Sequence, residues 1–157
     1  MSKKHVKFLT YGCQMNFSDA ERMEGELAKL GYQSVEEMDQ ADLIIINTCC
    51  VRETAEDKVY GKIGEIKALK RRNPDLILGI TGCMAQKEGE KLIKRAPHID
   101  FVLGTNKIHE VVSTIQKLET ANVKHVVDTE LRESEMPEDV AIQRNTALSA
   151  WIPIMYG

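Results

Sequence analysis

The chain has 157 residues, 43% hydrophobic and 29% charged, with a formal net charge of −3. That length holds one domain of ordinary size plus an appendage, and the apolar share supports a real core. The small negative charge gives no electrostatic case for this chain by itself gripping nucleic acid. No apolar run approaches the roughly 18–20 residues that cross a bilayer, so no membrane partner is expected and the expected location is cytoplasmic. In that compartment the four cysteines read as thiols or metal ligands rather than disulfides.

In chain order, a first strand is predicted over residues 5–11. A helix is expected to begin near Ser18, where Ser18-Asp19-Ala20-Glu21 fits a capping box; Ala20, Met23, Leu27 and Leu30 form its apolar stripe and Gly31 ends it. A short strand follows over residues 32–35. Residues 43–47 form a third strand, almost purely aliphatic and so expected to be buried on both faces.

A long helix is predicted over residues 53–72, with Val59, Ile63, Ile66 and Leu69 inward and Asn73-Pro74 as its stop. Gly61 and Gly64 weaken it by about 1 kcal/mol each against alanine, which implies close packing on the sheet. Then come a strand over 76–81, a helix over 87–95, a strand over 101–103, and a helix over 107–119 with Val111, Val112, Ile115 and Leu118 buried. Residues 123–127 have the character of one more strand. Residues 128–140 are acidic, contain Pro137, and read as a linker or edge-wrapping arm. The apolar end around Trp151 reads as the start of a further strand. The division expected is a domain over residues 1–120, a connector over 121–147, and the start of a second domain over 148–157.

The fold class expected is α/β: an open, mostly parallel five-stranded sheet of flavodoxin-like order 2-1-3-4-5, helices on both faces, and an irregular C-terminal arm. Within it, Cys13, Cys49 and Cys83 each follow an apolar run, at spacings of 36 and 34 residues. These spacings are too long for a zinc finger and match the repeat of a strand–helix unit. Parallel strands point their carboxyl ends to one edge, where such folds bind ligands. Three thiols at corresponding positions would therefore meet at the crevice between strands one and three. Gly12 and Gly82 precede two of them and would let backbone pass close to a bulky ligand.

Three thiolates without a fourth protein ligand suit a [4Fe–4S] cluster with one open iron. Zinc would want a fourth ligand or a water, and His5, His98, His109 and His125 all lie outside the cysteine loops. Any one such cysteine could equally be a small buried hydrophobe. Cys50, beside Cys49, points elsewhere by alternation and reads as an extra thiol.

The loops Thr10-Tyr11-Gly12-Cys13-Gln14-Met15-Asn16, Asn47-Thr48-Cys49-Cys50-Val51-Arg52-Glu53-Thr54-Ala55-Glu56 and Thr81-Gly82-Cys83-Met84-Ala85-Gln86 resemble the three signature loops of the radical-SAM methylthiotransferases, in particular the branch acting on transfer RNA. The resemblance covers about residues 5–120 and the connector. It implies the amino-terminal domain of the family, with Cys13, Cys49 and Cys83 holding an auxiliary [4Fe–4S] cluster. It further implies a whole enzyme with a second [4Fe–4S] cluster on a CxxxCxxC loop and S-adenosyl-L-methionine as cosubstrate. That enzyme adds a methylthio group to C2 of N6-isopentenyladenosine next to the anticodon of tRNA. The chain would stop short of the CxxxCxxC loop and be inactive alone. Cys50 departs from the family pattern, where a serine or other small residue is commoner.

Asn16, Asn47 and Arg52 are candidates to hydrogen-bond cluster sulfur or phosphate, with loop capping and an ion pair from Arg52 to Glu53 or Glu56 as the plainer alternative. The basic residues Lys67, Lys70, Arg71 and Arg72, and Lys87, Lys91, Lys94 and Arg95, read as solvated helix ends rather than RNA contacts. Two other functions stay open on the residues alone. One is a flavodoxin-like module that binds zinc or a small ligand without catalysis. The other is a thiol–disulfide protein, which the lack of a C-x-x-C motif disfavours.

Overall fold

The computed structural model describes residues 3–12, 14–49, 53–121 and 123–130. The predicted connector beyond residue 130 and the apolar end with Trp151 lie outside the described residues, as do Cys13, Cys50 and Arg52. Among those described, the order is β1 (Lys4–Tyr11), α1 (Gln14–Lys29), β2 (Tyr32–Ser34), a 3-10 turn (Met38–Gln40), β3 (Leu43–Thr48), α2 (Glu53–Arg72) and β4 (Ile77–Gly82). Then follow α3 (Cys83–Glu88), α4 (Glu90–Arg95), β5 (Phe101–Leu103), a 3-10 segment (Thr105–Glu110), α5 (Val111–Thr120) and β6 (Val126–Asp128).

The strands form one sheet in the order β2-β1-β3-β4-β5-β6, and every pairing is parallel. The expected order 2-1-3-4-5 is present, extended by one edge strand. β3 is buried at every position, and its side chains alternate between two cores. Ile44 and Ile46 join Leu78, Ile80 and Val102 under Val59, Ile63 and Ile66 of α2 and Met84 and Leu92 of α3 and α4. Leu43 and Ile45 join Val6, Phe101 and Leu103 under Met23 and Leu27 of α1 and Val111 and Ile115 of α5. Each fully buried aliphatic side chain contributes about 2 kcal/mol of transfer free energy. Two covered faces are what make an all-parallel sheet possible here.

Four local expectations need correction. α1 begins at Gln14, so Ser18 and Glu21 are buried inside the helix and form no cap. Leu30 lies past the helix end and is 40% exposed. The helix expected over 87–95 is two short helices broken at Gly89, whose φ of 48° is in the left-handed region, and the first begins at Cys83. Gly61 and Gly64 do not pack on the sheet: the space where their β-carbons would stand is open, because the inward stripe passes through Val59, Ile63 and Ile66 on the other side of α2.

Candidate functional site

The pairing register aligns the ends of three strands. Tyr11 of β1 pairs with Thr48 of β3, and Thr48 pairs with Gly82 of β4. Gly12, Cys49 and Cys83 are the next residues along each strand, side by side at the carboxyl edge, where the strand order reverses between β1 and β3. Cys49 and Cys83 are half-buried. Gly12 and Gln14, the neighbours of Cys13 in the chain, stand at this same rim.

Two asparagines hold the rim together. Asn16 Nδ2 donates to Asn47 Oδ1 at 3.2 Å and to the Thr48 carbonyl at 3.1 Å. In return Asn47 Nδ2 donates to the Asn16 carbonyl at 2.6 Å. Both side chains are buried, so these bonds are made away from water, where leaving them unmade would be costly. The Cys49 amide completes the tie by donating to the Tyr11 carbonyl at 3.0 Å.

The two glycines belong to the same construction. Gly12 and Gly82 have φ of 141° and 94°. A β-carbon on Gly12 would stand 2.5 Å from Cys49 Cβ and 2.6 Å from Asn16 Oδ1; one on Gly82 would overlap the Thr48 carbonyl and stand 2.8 Å from Asn47 Oδ1. They let the three loops close on one another. Asn16 Nδ2 has acceptors in the Asn47 and Thr48 oxygens. Thr81, the first residue of the third quoted loop, is fully buried two residues before Cys83, and its hydroxyl oxygen has no hydrogen-bond partner among the described residues.

Helices that follow parallel strands run back across the sheet, so the amino ends of α1 and α2 face this edge. Their unpaired N–H groups carry partial positive charge and favour anionic sulfur. Glu56 in the first turns of α2 pairs with Lys87 of α3 at 3.2 Å. The basic cluster lies at the far end: α2 is 20 residues long, so Lys70, Arg71 and Arg72 sit about 25–30 Å from the rim. Lys70 is engaged by Asp100 and the His98 carbonyl, and Arg95 stacks on Tyr60 at 3.9 Å. These groups serve the fold.

The opposite edge of the sheet has an open cleft of about 630 Å³ lined by Lys4, His5, Tyr32, Asp42 and Glu119 among others. Within it Lys4 pairs with Glu119, and the His5 amide donates to Asp42 Oδ2 at 2.8 Å. Asp19 of α1 is buried, its Oδ1 lacks a hydrogen-bond partner among the described residues, and burial pushes its carboxyl up to about 7, the Arg22 guanidinium offsetting part of the rise.

The described residues contain no cluster of three His, Cys, Asp or Glu side chains poised for a metal; of the three predicted ligands, two are described. The rim nevertheless fits a soft-metal group. It presents Cys49 and Cys83 from adjacent strands and closes the Gly12 loop onto Cys49, and no histidine or carboxylate is required by the donor set.

Residues 5–104 match the uncharacterized protein family UPF0004. The chain is 49% identical over 152 residues to a tRNA-2-methylthio-N(6)-dimethylallyladenosine synthase of Dictyoglomus thermophilum, covering 95% of this chain and 34% of that protein. Proteins of the same name from Carboxydothermus hydrogenoformans and Clostridium beijerinckii are 42% and 40% identical, covering 100% and 99% of this chain and 36% and 34% of theirs. The chain therefore spans about a third of the length of these relatives.

Proposed function

This chain belongs to family UPF0004, the amino-terminal domain of the methylthiotransferases, and from that premise we propose a function for its sheet rim. The rim is the auxiliary-cluster site of a tRNA methylthiotransferase, in which Cys13, Cys49 and Cys83 hold a [4Fe–4S] cluster. The proposed division is a cluster domain over residues 1–120, a connector over 121–147 and the start of a radical-SAM domain over 148–157. The single observation that carries the reading is the Tyr11–Thr48–Gly82 register, which sets the residues preceding the cysteine-bearing turns in one row.

Three protein ligands leave one iron of a cubane cluster open to an exogenous sulfur species, which is the chemistry such a group supplies here. The chain's own residues do the rest. Gly12 and Gly82 allow the loops to close, Asn16 and Asn47 lock them, and the amino ends of α1 and α2 favour the anionic charge of thiolate and sulfide. The whole enzyme also carries a second [4Fe–4S] cluster, uses S-adenosyl-L-methionine, and modifies C2 of N6-isopentenyladenosine beside the anticodon of tRNA in the cytoplasm. The names of the relatives support the tRNA substrate and the methylthio product. No helix among the described residues is long and apolar enough to cross a membrane. This chain alone is inactive, since it contains no CxxxCxxC motif.

Metal and sulfide analysis of protein purified without oxygen tests the reading. Iron with an equal amount of labile sulfide supports it. One zinc per chain without labile sulfide would instead identify a zinc-binding module and end the proposal.

A further inference from the structure

We infer that the reciprocal Asn16–Asn47 clasp is a positioning device that sets the spacing of the cysteine-bearing loops before any cluster arrives. The inference rests on the reading of the rim as a cluster site and adds to it residues that do not touch the cluster. Asn16 lies in the first turn of α1, three residues after Cys13; Asn47 lies two residues before Cys49. Their three hydrogen bonds, Asn16 Nδ2 to Asn47 Oδ1, Asn16 Nδ2 to the Thr48 carbonyl and Asn47 Nδ2 to the Asn16 carbonyl, join two loops that are 31 residues apart.

The third loop is held by contact. Gly82 sits so near Asn47 Oδ1 and the Thr48 carbonyl that no side chain fits between them, and Gly12 is equally tight against Asn16 Oδ1 and Cys49 Cβ. One pair of amides thus touches the residue before Cys13, the residues before Cys49 and the residue before Cys83. A buried, satisfied polar network of this kind specifies one arrangement, where an apolar filling would permit several. Aspartate at either position lacks the amide donors, and alanine leaves buried oxygens unpaired. Such pre-ordering lowers the cost of gathering three thiols around a metal group.

The experiment reads geometry in the ligand-free chain. In a background of Cys50→Ser and Cys83→Ser, Cys13 and Cys49 remain on the two loops that the clasp joins, and dibromobimane becomes fluorescent when it bridges two neighbouring thiols. Asn47→Ala and Asn16→Ala should each slow bridging about tenfold, the effect of losing buried hydrogen bonds, while labelling by the single-armed monobromobimane changes less than twofold. Ile66→Val, a core change on α2, controls for lowered stability and should leave the bridging rate unaltered. Should Asn47→Ala fail to fold by circular dichroism, Asn16→Ala carries the test. Bridging at the unmodified rate in a folded Asn16→Ala chain overturns the clasp. Because no metal is involved, a chain that shows clasp-dependent bridging yet takes up no iron would sink the cluster reading while leaving the clasp standing.

Discussion

The ring of Phe101 on β5 lies over Gly79 of β4 so closely that a β-carbon at Gly79 would overlap its Cζ, Cε1 and Cε2 atoms. The two residues pair across the sheet, and Phe101 is fully buried among Val6, Ile45, Leu103 and Val111. Glycine here is a demand of packing, since the ring has no free space to retreat into. Gly79→Ala should therefore destabilise the chain by about 3 kcal/mol, through forced displacement of the ring or of β4. Urea denaturation of the two proteins checks this; a change under about 0.5 kcal/mol would mean that the core yields at this point.

Gly61 and Gly64 invite the opposite change. Both lie on the exposed side of α2 with open space where a β-carbon would stand. Alanine at each should stabilise the chain by about 0.5–1 kcal/mol by removing backbone freedom from the unfolded state and improving helix propensity. The double variant should melt several degrees higher, as thermal unfolding followed at the helix signal will show.

Asp19 predicts a pH dependence of unusual sign. Its carboxyl stands at about 7 in the folded chain against 3.8 ordinarily, because burial disfavours the charged form more than Arg22 favours it. Between about pH 4 and pH 7 the folded state holds a proton that the unfolded state has released, so stability falls as pH rises through this window and the loss is complete above it. Asp19→Asn should flatten that slope, worth on the order of 2 kcal/mol between about pH 5 and pH 8. Denaturation midpoints measured at both pH values for both proteins decide the matter; parallel pH profiles would remove Asp19 as the cause.

Much of the architecture was legible in the sequence because its signals are local and undiluted. Leu43-Ile44-Ile45-Ile46 can only be a strand buried on both sides, and the bounds of α2 were readable from its apolar spacing and the Asn73-Pro74 stop. Counting from strand to strand placed Cys49 and Cys83 at one edge, where the register puts them. What could not be read depends on shape between distant residues. Ser18-Asp19-Ala20-Glu21 has the composition of a cap but lies inside a helix that starts four residues earlier. The Asn16–Asn47 clasp spans 31 residues and has no periodicity to betray it. The strand expected over residues 123–127 is present but shorter and shifted, Val126–Asp128, because its partly buried positions gave no sharp bounds.

The central claim is that the thiols of Cys13, Cys49 and Cys83 act together. Its most direct test is anaerobic reconstitution with iron and sulfide, with iron and labile sulfide counted per chain. The native sequence should take up about four irons and as many sulfides, and the variant with alanine at all three cysteines should take up almost none while keeping its helical signal. Equal iron and sulfide in the two proteins would contradict the account.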